Sequence, residues 1–117
     1  MKITLGQPED IARIRDRYLV LELDTFRVQG VEIPSWCIID AGDIGLGDLT
    51  TLEHYIEQHE NLIKNYKLGN FPFVEQMIEH LQGKFGGELD SFYTELFARL
   101  KQPKSDPWDY VINKDVQ

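Results

Sequence analysis

With 117 residues, 42% of them hydrophobic and 27% charged, the chain has the length and composition of one globular domain. Twelve Lys and Arg against twenty Asp and Glu leave a net charge of −8, which argues against a phosphate-gripping surface and direct nucleic-acid binding. No apolar run approaches the roughly 18 to 20 residues of a membrane span, and Met1 to Gly6 lacks a signal-peptide pattern, so a cytoplasmic protein without a membrane partner is expected.

In chain order, Pro8 followed by Glu9 and Asp10 predicts a short N-terminal helix that presents Ile11 and Ile14 on one side. Leu19, Leu21 and Leu23 then alternate with Val20, Glu22 and Asp24, which is strand periodicity. Phe26 and Val28 fall in the opposite phase, so a bulge near Asp24 and Thr25 is expected to restore the face. Gln29 and Gly30 separate this run from "VEIPSWCIID" at hairpin distance, with Pro34 predicted at an edge or bulge.

Beyond Asp48 the pattern is helical. A capping box of Thr50 and Glu53 opens a helix over about 49–68, with Leu49, Leu52, Ile56, Leu62, Ile63 and Tyr66 as its apolar stripe. Further helices are predicted over about 71–82, burying Val74, Met77, Ile78 and Leu81, and about 87–101, burying Leu89, Phe92, Tyr93, Leu96, Phe97 and Leu100.

The fold expected is therefore α+β: a short helix, a β-hairpin over about 17–40 and three sequential helices packed on one face of it. The alternative is an all-α bundle in which Ile11 to Val28 form one helix. Residues 1–101 read as a single compact domain. Residues 102–117 read as a C-terminal segment whose Trp108, Tyr110, Val111 and Ile112 are too apolar for an inert tail, and which must dock on its own body or on a partner.

Candidate chemistry is sparse. The loop with Gly42, Gly45 and Gly47 among Asp40, Asp43 and Asp48 fits neither a dinucleotide fingerprint nor a P-loop. An EF-hand begun at Asp40 would place Thr51 where an acidic chelator is needed. Glu53, Glu57 and Glu60, with Glu75 and Glu79 on the next helix, could hold Mg²⁺ or Mn²⁺ between helices. The E-x-x-E of Glu57 and Glu60 lacks a matching E-x-x-D, its nearest relative being Glu88-Leu-Asp90. His54 and His59 lie about 140° apart around a helix and cannot share an ion. These two and His80 are read as ordinary surface or half-buried histidines, and Cys37, beside Ile38 and Ile39, as a buried structural thiol. No catalytic residue, resident metal or cofactor is assigned.

The strings "LELDTF" (Leu21 to Phe26), "WCIID" (Trp36 to Asp40), "LIKNY" (Leu62 to Tyr66) and "GGELDSFYTELFARL" (Gly86 to Leu100) resemble a group of small proteins of tailed bacteriophages. That resemblance implies a phage-encoded protein that works by binding host or phage proteins in the host cytoplasm, and it carries no activity or site residue with it.

The function expected is thus a non-enzymatic protein-binding or accessory module. Between Arg27 and Lys64 there is no Lys or Arg, and Asp43, Asp48, Glu53, Glu57 and Glu60 form the candidate acidic surface for a basic protein partner, with Trp108, Tyr110 and Ile112 as apolar anchors. The alternatives are a Mg²⁺- or Mn²⁺-dependent hydrolase built on the helix carboxylates and an acidic mimic of nucleic acid. Because a two-stranded sheet is marginal alone, homodimerisation through the hairpin is also expected.

Overall fold

The computed structural model describes residues 2–40 and 49–114. In chain order its elements are β1 (Lys2–Leu5), α1 (Pro8–Ile11), β2 (Tyr18–Val28), β3 (Val31–Asp40), α2 (Leu49–Leu68), α3 (Phe71–Leu81), α4 (Asp90–Leu100) and β4 (Ile112–Asn113). The fold is α+β, with the hairpin and the three sequential helices expected from periodicity. The third helix begins at Asp90 rather than near 87, because Gly86 and Gly87 take positive φ and Asp90 Oδ1 accepts the Gly83 N–H at 2.7 Å.

The hairpin is not a lone pair of strands. It lies inside a four-stranded sheet of order β1-β3-β2-β4, with β1 antiparallel to β3 and the two-residue β4 parallel to β2. Gln29 (φ 52°) and Gly30 (φ 78°) make the two-residue turn, both in the left-handed region that matches the twist of the strands. The predicted bulge is present: the register shifts between Glu22 and Thr25, so Phe26 and Val28 regain the face held by Leu19, Leu21 and Leu23.

Pro34 sits opposite that shift, at the point where β1 ends. Gly6 N–H donates to the Pro34 carbonyl at 3.2 Å, which makes Gly6 and Pro34 a bonded pair. Pro34 has no N–H to return, and the Trp36 indole N–H supplies the missing donor to the Gly6 carbonyl at 2.8 Å. By alternation, Lys2 and Thr4 also bond towards β3, whereas the backbone groups of Ile3 and Leu5 point outward from the sheet.

The sheet is covered unequally on its two faces. Leu21, Leu23, Cys37 and Ile39 pack against α2, α3 and α4 through Leu62, Ile63, Val74, Ile78, Tyr93 and Leu96, with Phe85 and Leu89 of the intervening turns in the same core. On the reverse face Val20 and Trp36 are covered by Ile11, Ile14 and Ile38. Short α1 and the turns after it therefore cap a second, smaller cluster.

Candidate functional site

Glu53, Glu57 and Glu60 are exposed along α2. Asp43, Asp48, the glycine loop and the capping side chain of Thr50 lie outside the described residues. Lys101 engages Glu75 at 3.0 Å, and among the described residues no group of three or more His, Cys, Asp or Glu side chains converges on a point that could hold a metal.

The described part of the C-terminal segment, up to Lys114, docks in cis. Trp108 donates its indole N–H at 2.8 Å to the Tyr66 carbonyl in the last turn of α2, which also accepts the Gly69 N–H at 3.1 Å. Its ring meets Tyr66 and Phe71 edge-on, with centroids 5.4 and 4.9 Å away. Gly69, at φ 82°, ends α2 directly beneath the indole, and a Cβ there would lie 3.3 Å from Trp108 Cδ1. Lys67 Nζ stands 5.3 Å from the Tyr110 ring centroid, and Ile112 pairs with Phe26 in the sheet. All three candidate anchors thus make contacts within their own chain.

His59 is fully buried, unlike the ordinary histidine expected of it. β2 turns the Glu22 carbonyl away from β3, towards α2, and His59 Nε2 meets it at 2.6 Å. A carbonyl can only accept, so Nε2 carries the proton and Nδ1 is left bare to accept from the Tyr93 hydroxyl at 2.7 Å. Burial lowers the His59 pKa from 6.5 to about 4, with the Glu22 carbonyl opposing weakly, so the ring is neutral at pH 7. Enclosed and saturated on both nitrogens, it joins β2, α2 and α4 and offers no route to a substrate.

Asp24, at the bulge, makes the second polar junction. Its carbonyl accepts from Ser35 Oγ at 2.7 Å, and its carboxylate is gripped by Arg99 Nη1 at 2.7 Å and Nη2 at 3.2 Å. Burial lowers the Arg99 pKa, but the hydrogen bonds to Asp24 and Tyr66 and the charge of Asp24 outweigh it and raise the value overall. With Glu95 also accepting from Nη2 at 3.1 Å, both terminal nitrogens of the Arg99 guanidinium are engaged by carboxylates.

Cys37 is fully buried, and burial pushes its thiol up to about 11. A thiol reagent at pH 8 is therefore expected to modify it at least roughly a hundredfold more slowly in the native protein than in urea. Equal rates in the two states, followed by reagent absorbance, would contradict this burial.

What stands open is the hairpin end of the sheet. Because the bulge resets the phase, Phe26 and Val28 share the helix-side face with Val31 and Ile33 of β3 and with Ile3 and Leu5 of β1. The helices stop short of them: Ile3 is 58% exposed, Leu5 50%, Val28 37% and Val31 57%. Between this face and α4 runs an open groove of about 550 Å³ with Leu23, Phe26, Phe92 and Ile112 among its apolar walls. Its polar rim includes the Asp24–Arg99 pair, Glu95 and Lys114. Since Arg99 is already paired and Lys114 Nζ lies 4.9 Å from the Phe26 ring centroid, the groove is predominantly an apolar surface with a charge-balanced rim.

Neither a protein family, a curated protein nor a solved structure matches this chain. The class is therefore set by the fold alone: an α+β domain with one apolar sheet end uncovered.

Proposed function

We propose that this protein is a non-enzymatic binding module for another protein, and that the uncovered hairpin end of the sheet is its contact surface. The observation that carries this is the exposure of Val28 and Val31 beside half-buried Phe26 and Ile33, a contiguous apolar patch next to a groove. Glu53, Glu57 and Glu60 support a partner with basic character, because exposed carboxylates raise encounter rates and select against acidic competitors.

The test is affinity capture from native lysate, with the full chain compared with a Val28→Lys, Val31→Lys double variant. One retained protein is expected to lose affinity at least about tenfold with the double variant, while half-molar salt weakens it only moderately. Loss of all binding in salt would favour the nucleic-acid mimic. A rise in melting temperature with millimolar Mn²⁺ would favour the hydrolase.

A further inference from the structure

We infer that β1 is a self-pairing edge: two copies of the chain join antiparallel through Lys2–Leu5 to make one continuous eight-stranded sheet. This goes beyond the binding role above and does not rest on it, since it uses the backbone edge of β1, although the Ile3 and Leu5 side chains also border the open face.

Among the described residues, the opposite side of the sheet is partly occupied within the chain. β3 is flanked on both sides, β4 is a two-residue strand whose Lys114 N–H bonds the Arg27 carbonyl, and the outward Glu22 carbonyl of β2 is taken by His59. β1 remains as an edge of four extended residues. Its outward-directed backbone groups belong to Ile3 and Leu5, the same two residues whose side chains are 58% and 50% exposed; among the described residues the Leu5 carbonyl receives a long 3.5 Å contact from the adjacent Thr4 hydroxyl.

Parity and the number of bonds made together select the register. Bonded pairs across an antiparallel edge must join residues that both point outward, and a two-fold axis through Thr4 sets Ile3 opposite Leu5 of the second copy and Leu5 opposite its Ile3. All four outward N–H groups and all four outward carbonyls fall within the two strands in that register. The apolar side chains then meet on the helix-side face, and Thr4 faces Thr4 on the other, a favourable cross-strand pair.

Charge agrees with this arrangement. Lys2, the one charged residue of β1, lies opposite Gly6 of the second copy and not opposite another lysine. Both sit on the face that carries α1, so each ammonium comes beside a first turn holding Glu9 and Asp10. A four-residue edge buries less than the roughly 800 Å² per partner of a standard interface, so the dimer is weak, with a dissociation constant on the order of 100 μM.

The experiment is sedimentation equilibrium of the full chain from micromolar to millimolar concentration. Wild type is expected to rise twofold in mass. Leu5→Pro, which removes an outward donor without touching a bond to β3, is expected to remain monomeric and folded by circular dichroism. Should that variant unfold, amide exchange of wild type decides: Ile3 and Leu5 N–H groups should gain protection as concentration rises. A monomer at millimolar concentration, a dimer unaffected by Leu5→Pro, or unchanged exchange at Ile3 and Leu5 would overturn the inference.

Discussion

Replacing His59 by Phe is expected to destabilise the protein by about 3 kcal/mol at pH 7, because two buried partners, the Glu22 carbonyl and the Tyr93 hydroxyl, lose their hydrogen bonds at once. The same substitution should remove a large part of the acid sensitivity. The folded state holds His59 neutral down to about pH 4, whereas the unfolded chain takes up a proton near 6.5. Unfolding is therefore linked to proton uptake between those values, and stability falls as pH falls through that window, by up to about 3 kcal/mol. Urea unfolding of both proteins from pH 7 to 4 should show the gap between them closing towards acid. Parallel curves would mean that His59 is not held neutral.

The second large effect is expected from Trp108→Ala. It removes the indole hydrogen bond to the Tyr66 carbonyl and the edge-on contacts to Tyr66 and Phe71, a loss of about 2 to 3 kcal/mol for a half-buried aromatic. It also releases the segment that delivers Ile112 to β2, so trypsin should cut after Lys101 and Lys104 while the remainder stays folded. Wild-type stability together with unchanged proteolysis would show that the indole does not hold this segment in place.

Much of the fold could be read locally, because its signals were short-range. The phase change between Leu23 and Phe26 requires an inserted residue if both are to face one core, and the register shift falls there. Strands β1 and β4 were missed for the opposite reason: four and two residues carry little periodicity, and their pairing is set by partners far along the chain.

His59 had left a trace. The apolar stripe of α2 passes from Leu52 through Ile56 to Leu62, Ile63 and Tyr66, and position 59 is the gap in that stripe, so a histidine there points into the core. What the sequence could not disclose was its partners, a carbonyl on β2 and a hydroxyl on α4. Trp108 was legible as an anchor but not its receptor, which exists only once α2 ends at Gly69 and α3 brings Phe71 alongside. The open hairpin end was equally hidden, since alternation marks Phe26, Val28, Val31 and Ile33 as one face and says nothing about how far the helices reach across it.

The binding role is tested most directly by placing a photo-crosslinking residue at Val31, and separately at Glu57, and irradiating each protein in native lysate. A partner adduct formed from Val31 and not from Glu57, at a mass other than twice that of the chain, is the predicted result. An adduct from Glu57 alone, or none from Val31 with the protein folded, would contradict a contact surface at the hairpin end of the sheet.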